Sequence, residues 1–166
     1  MGVRATASGI LAAEHGEKRE EIVGLLTQAY WMELETVMNY LASSINPDGL
    51  RAQEVRESLE QEVAEELGHA RQFGERIKEL YGSVPGSLEF HAEQAALQPP
   101  ESQTDLAHVI EGVIAAEAGA IQHYNRIIEA TDGVDWATQD MVIAILHDEE
   151  RHLRLFEGFL REFETA

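Results

Sequence analysis

The sequence predicts an all-α fold, an antiparallel four-helix bundle with one long crossover between the second and third helices. Three observations lead there. Apolar residues recur at three- and four-residue steps in four long stretches, as one buried face of a helix requires. The breaks between these stretches run short, long, short. No stretch alternates apolar and polar residues as a half-buried strand does. Short links make consecutive helices antiparallel, and a long link can carry the chain along the length of a bundle. At 166 residues the chain has the size of one domain and enough length to bury a continuous core, so one domain over 1–166 is expected.

In chain order, residues 1–16 are small and mixed and are expected to form an arm, with one helical turn around Ile10 to Glu14. The first bundle helix is expected over 17–45, where Ile22, Leu26, Ala29, Val37 and Leu41 make the apolar stripe. Asn46-Pro47-Asp48-Gly49 ends it. The second spans 50–81 on the stripe Leu59, Val63, Phe73, Ile77 and Leu80, with Gly82 as its stop. The crossover occupies 83–103, with a short helix over 88–97 ahead of Pro99-Pro100. The third helix, 104–131, is capped by Thr104 or Asp105 and carries Leu106, Ile110, Val113, Ile121 and Ile128. Asp132-Gly133 breaks it, and the fourth runs over 135–163 on Val142, Ile145, Leu153, Phe156, Leu160 and Phe163.

Charge narrows the function classes. The 31 acids against 12 bases give a net charge of −19, which repels nucleic acid and anionic membranes and suits a protein that handles cations. DNA binding and membrane association are therefore not expected. The absence of cysteine excludes disulfides, thiolate zinc sites and thiolate iron–sulfur ligation. No stretch approaches the length of a membrane span and the N-terminus has no secretory apolar core, so a cytoplasmic location is expected.

The chemistry lies in a pattern that occurs twice. Glu66-Leu67-Gly68-His69 and Glu149-Glu150-Arg151-His152 each set a glutamate three residues before a histidine, on one helix face. Upstream of each lies a glutamate followed seven residues later by a tyrosine: Glu33 with Tyr40, and Glu117 with Tyr124. With 31 acids in 166 residues a single Glu-x-x-His means little. The position within the stripes is what informs. Leu59 and Val63 lead to Glu66 and His69, then Phe73; Val142 and Ile145 lead to Glu149 and His152, then Phe156. Glu33 and Glu117 interrupt the stripes of the first and third helices in the same way. Each helix thus aims a carboxylate inward, and unpaired buried carboxylates cost several kcal/mol each. No lysine is near, and Arg71, Arg151 and Arg154 lie off these rows. Two divalent cations balance four carboxylates while both histidines stay neutral as ligands. Oxygen-rich ligation with one imidazole per metal favours iron, with manganese as the alternative and zinc as a substitute.

By symmetry Glu66 and Glu149 bridge two metals, Glu33 and Glu117 are terminal ligands, and His69 and His152 each hold one metal. Tyr40 and Tyr124 are hydrogen-bond donors to the site, short-range electron donors, or core residues with satisfied hydroxyls. Glu65 and Glu150 are rotated off the stripe, solvated or next to the ligands. His123 and His147 are expected at the surface, and His15, His91 and His108 give no signal. Glu35, Glu62 and Asp148 are expected to be solvated rather than to form an outer iron path.

These residues resemble the ferritin-like superfamily of di-iron carboxylate proteins, which place one glutamate on each of two helices and Glu-x-x-His on the other two. The resemblance covers residues from about 20 to 163. Ile145-Leu146-His147-Asp148-Glu149-Glu150-Arg151-His152 looks like the fourth helix of bacterioferritins, and Glu33 with Tyr40 looks like the first helix of ferritins and bacterioferritins. The resemblance implies that Glu33, Glu66, His69, Glu117, Glu149 and His152 form a ferroxidase centre. Such a centre oxidises iron(II) with O2 or H2O2 and passes iron(III) to a mineral core inside a homo-oligomeric shell, of 12 or 24 chains in that family.

Three departures qualify the placement. Leu67 stands where bacterioferritins carry a haem-binding methionine, so haem is not expected. The 14 residues after His152 leave no room for a fifth helix, and this together with a short helix in the crossover is more like the Dps mini-ferritins, which usually build the iron site between subunits. The hybrid resembles Dps-like proteins, although their common cysteine pair is absent. The alternative is a rubrerythrin-like peroxidase or other di-iron oxidoreductase acting as a small oligomer. Ala120 stands where that class offers a further glutamate, and the rubredoxin domain is missing. For a di-manganese catalase the chain is short.

Overall fold

The computed structural model describes residues 8–164. Four long helices dominate it: α1 (Gly16–Ile45), α2 (Ala52–Glu79), α3 (Leu106–Thr131) and α4 (Trp136–Glu164). No strand occurs among the described residues. α1 packs along α2 and α3 along α4, and α1 meets α3 more closely than α2 meets α4. This is the expected bundle, with α2 shorter than expected by two residues at each end.

The end of α2 shows why. Gly82 N–H donates to Ile77 O and Tyr81 N–H to Lys78 O, the paired bonds of a Schellman stop. The left-handed residue is Tyr81, at φ 66°, not the glycine. Gly82 serves by lacking a Cβ, which would meet Ile77 O at 2.9 Å and a Val23 methyl at 3.0 Å. α3 starts as expected, with Asp105 accepting from His108 N–H at 3.1 Å. Asp135 does the same for Thr138 N–H at the start of α4, and its carboxylate is held at 2.8 Å by Arg76 of α2.

The expected stripes stray from the core at their margins. Leu41 is exposed, and Val37, Val63, Ile121, Ile128, Leu153, Leu160 and Phe163 are only half-buried, while Tyr40 and Ile127 take the inner positions beside Leu41 and Ile128. A one-residue slip of this kind follows from reading a 3.6-residue period with integer steps. The crossover contains only a short 3-10 turn, Ser87–Glu89, and not a helix over 88–97. Tertiary capture overrides local propensity there. The Glu35 carboxylate on α1 accepts from the backbone N–H groups of Glu93 and Gln94, which a helix would use internally. Leu97 is the residue of that segment that reaches the core, and Leu88 is fully exposed.

The arm is partly tied down. Two 3-10 turns, Gly9–Leu11 and Ala13–His15, stand where one turn is expected, and Arg19 donates to the carbonyls of Ile10 and Ala12. The first seven residues of the expected arm lie outside the described residues.

The apolar core falls into two clusters. One holds Ile22, Leu26, Phe73, Ile77, Ile127, Val142 and Ile145; the other holds Val55, Leu59, Val109, Ile110, Val113 and Phe156. Along every helix the inward glutamate lies between its contributions to the two clusters. A polar layer is thus closed off at both ends by packed hydrocarbon.

Candidate metal centre

All six expected ligands meet in that layer. Glu33, Glu66, Glu117 and Glu149 are each 2% exposed or less, and His69 and His152 are buried with them. Ligand atoms of Glu33, Glu66, His69 and Glu149 lie within 4.8 Å of one another, as do those of Glu66, Glu117, Glu149 and His152. Glu66 and Glu149 belong to both groups, and each group takes one histidine and one unshared glutamate. His69 Nδ1 is 3.0 Å from Glu149 Oε1 and 3.4 Å from Glu66 Oε2; His152 Nδ1 is 3.3 Å from Glu66 Oε1. Both imidazoles therefore turn Nδ1 toward the shared carboxylates.

The side chains are not satisfied by one another. Both oxygens of Glu66, one each of Glu117 and Glu149, and Nδ1 of both histidines are buried without a hydrogen-bond partner. Orphaned buried polar atoms cost about 1–3 kcal/mol each, so six converging ones are not packing accidents. Their donor chemistry, hard carboxylate oxygen plus one imidazole nitrogen per group, fits a first-row divalent cation.

Outside the ligand atoms the groups are fixed. Tyr40 donates its hydroxyl to Glu117 and Tyr124 donates to Glu33, so each tyrosine serves the glutamate of the other helix. His152 Nε2 lies 3.1 Å from Glu65 and His69 Nε2 lies 3.5 Å from Asp148. Arg151 links those outer acids, at 2.7 Å from Glu65 and 3.3 Å from Asp148. A carboxylate behind each imidazole orients the ring and raises its basicity.

Electrostatics follow from burial. Burial, with the Glu66 charge next, drives Glu33 well above the carboxylate range; burial, with Glu149 next, does so for Glu117. Burial also pushes Glu66 up, but the two imidazoles outweigh it and hold that carboxyl low. Burial lowers the histidines, yet the neighbouring carboxylates raise His69 to about 10 and His152 to about 9. Both tyrosines are raised, first by burial and then by the glutamates beside them.

Several flanking residues differ from expectation. His123 is not at the surface but fully buried, with Nε2–H donating to Leu25 O at 2.8 Å and Nδ1 accepting from Arg126 at 2.9 Å. Burial lowers its pKa, and this neutral ring ties α3 to α1. Its place four residues before Ile127 was the available signal. Glu62 is buried rather than solvated, and burial raises it to about 8. It lies one turn before Glu66, on the same face. Glu35 is also buried, but its oxygens are taken up by the crossover. Asp148 is half-buried beside His69, whereas His147 and Glu150 are exposed as expected.

Comparisons with known proteins bear on this arrangement. A family model described as Ferritin-like domain matches residues 23–166. The DNA protection during starvation protein of Pyrococcus furiosus is 30% identical over 144 residues, covering 85% of this chain and 77% of that protein. The bacterioferritin of Desulfovibrio desulfuricans is 22% identical over 149 residues, covering 89% and 79%. Among solved structures, a dodecameric thioferritin, the bacterioferritin-related protein of Bacteroides fragilis, superposes with a TM-score of 0.78 at 21% identity, covering 89% of this chain and 88% of that one. At that identity the superposition speaks for the fold alone.

Proposed function

The chain belongs to the ferritin-like domain family, and from that membership we propose that it is a ferroxidase that oxidises iron(II) at an intrasubunit di-iron site and stores the iron(III). The observation that carries the reading is the pair of overlapping ligand groups sharing Glu66 and Glu149, with their buried atoms left without partners. Glu66 and Glu149 bridge two iron(II) ions, Glu33 and Glu117 each close one side, and His69 and His152 each take one ion through Nδ1. Manganese can take the same donors, and zinc can block them.

The substrate ions each give up one electron. The two electrons and two protons reduce O2 to H2O2, or reduce H2O2 to two waters. The chain's part is to hold both ions in a dry layer. Tyr40 and Tyr124 fix the terminal carboxylates, Glu65 and Asp148 orient the imidazoles, and the two apolar clusters keep bulk water away.

Storage requires a shell of copies of this chain. That assembly is part of the proposal; a neighbour of the same fold, the Bacteroides fragilis thioferritin, is itself a dodecamer. Since a net charge of −19 opposes a non-specific hold on DNA, the protection offered is chemical, the joint removal of iron(II) and oxidant. Among the described residues no helix is long and apolar enough to cross a membrane.

Anaerobic iron(II) titration tests the site, with saturation expected at two ions per chain. Unaltered stoichiometry in the Glu66→Ala, Glu149→Ala double variant would falsify the ligand assignment. Light scattering tests the shell: a large symmetric assembly that takes up many irons per chain supports storage. A dimer that stops at two irons per chain supports the small di-iron oxidoreductase instead.

A further inference from the structure

Two spaces on the α1/α3 flank share a wall. The outer part is a crevice of about 320 Å3 beneath the crossover, bordered by Gln28, Met32, Ala115, Ala116 and Gly119. The inner part, within the polar layer, is a space of about 10 Å3 walled by Glu33, Glu66, Glu117 and Glu149, together with Met32, Ala116 and Ala120. Met32 and Ala116 border both parts, so these two side chains form the partition between them. The inner space is at the threshold for one molecule of water size. Three of its glutamates carry oxygens with no partner.

The roof is pinned. Gln94 of the crossover donates to Thr36 Oγ1 at 2.6 Å and to Met32 O at 3.3 Å, and Glu35 holds the backbone N–H groups of Glu93 and Gln94. The opening therefore does not depend on the crossover moving.

The chemistry of the walls selects the traveller. At the partition, Met32 and Ala116 offer nothing to replace the water shell of a dication. Of the two carboxylates that border the outer cavity, Glu35 is already committed to backbone donors and Glu93 is exposed to solvent, and the Arg126 guanidinium on the same cavity repels positive charge. On the α2/α4 side, by contrast, the partly exposed acids Glu65 and Asp148 stand behind the imidazoles. Iron(II) suits that face, and a small neutral molecule suits the crevice.

We propose that the α1/α3 crevice is the passage by which the small uncharged oxidant, dioxygen or hydrogen peroxide, reaches the metal site, with Met32 as its gate. The proposal rests on the ferroxidase reading. Gly119→Leu tests it, because Gly119 borders the outer cavity and a Cβ there meets nothing within 4 Å. Gly158→Leu on α4, where a Cβ meets only the end of the Arg154 side chain at 3.8 Å and which borders neither space, is the control.

Stopped-flow oxidation by the assembled protein is measured against O2 and, separately, H2O2. In Gly119→Leu the KM for oxidant is expected to rise about five-fold or more, while Gly158→Leu keeps the parent value and Met32→Ala shifts it the other way. Anaerobic cobalt(II) binding stays at two per chain in all of them. A rise for both oxidants assigns the passage to both, and a rise for one assigns it to that one. Unchanged oxidant dependence in Gly119→Leu overturns the proposal, as does slower cobalt(II) entry with normal oxidant dependence. Failure of the parent protein to bind two cobalt(II) ions would remove the ferroxidase reading itself, a separate result.

Discussion

The Tyr40 hydroxyl on α1 donates to Glu117 on α3, a partner 77 residues away. The bond fixes one terminal carboxylate from the opposite helix, and the Tyr124–Glu33 bond does the same in reverse. Tyr40→Phe is therefore expected to leave the bundle folded and to weaken metal binding. Loss of such an outer partner typically costs about 10–100-fold in affinity. Anaerobic cobalt(II) titration of Tyr40→Phe and Tyr124→Phe checks this, and unchanged affinity in both would mean that the hydroxyls only satisfy the core.

Shared and unshared ligands should behave differently. Glu66 belongs to both ligand groups and Glu33 to one. Glu33→Ala is expected to keep one tight metal per chain, whereas Glu66→Ala weakens both. Calorimetric titration with cobalt(II) separates these outcomes. Equal losses in the two variants would show that the groups do not act as two sites with common bridges.

The doubled Glu-x-x-His was legible in the sequence because a helix turns one-dimensional spacing into a face, and Glu66 and His69 fall between Val63 and Phe73 on that face. The same logic carried Glu33, Glu117, Glu149 and His152 to one layer. The crossed tyrosine pairing was not legible, since spacing links Tyr40 to Glu33 on its own helix while the bond depends on the register of α1 against α3. Glu62 and His123 were missed because a polar residue reads as solvated when its partner or its burial comes from another helix. The crossover was misjudged for a related reason: Glu35 supplies from a distance the acceptor that a local helix would have provided.

Gly112 offers a test of that crossover. A Cβ there would lie 2.7 Å from Ala96 O and 3.1 Å from Leu97 Cα, both backbone atoms. Gly112→Ala gains about 1 kcal/mol of helix propensity. Pushing the crossover backbone off α3 costs about 1–3 kcal/mol, and with Leu97 buried beneath it the clash is expected to win. Thermal unfolding should fall by a few degrees, roughly 2–4 °C per kcal/mol at this size. A variant as stable as the parent would show that the crossover rests loosely on α3.

The site should exchange protons for metal. In the metal-free chain His69, raised to about 10, and His152, raised to about 9, are protonated at pH 7 on the nitrogens that would hold metal. Glu33 and Glu117, driven up chiefly by burial, also favour their protonated forms. Metal loading at pH 7 is therefore expected to release at least two protons per chain from the histidines, with more from the glutamates, measurable in a pH-stat. The folded histidine values lie above the unfolded value near 6.5. Their contribution to stability is thus full below about pH 6.5 and is lost as pH rises through 9 to 10. Thermal unfolding in the presence of a chelator should weaken over that window. Metal-loaded protein, whose imidazoles have already lost their protons, should not show the same decline. Parallel pH profiles for the two forms would mean that the histidines do not take the metal.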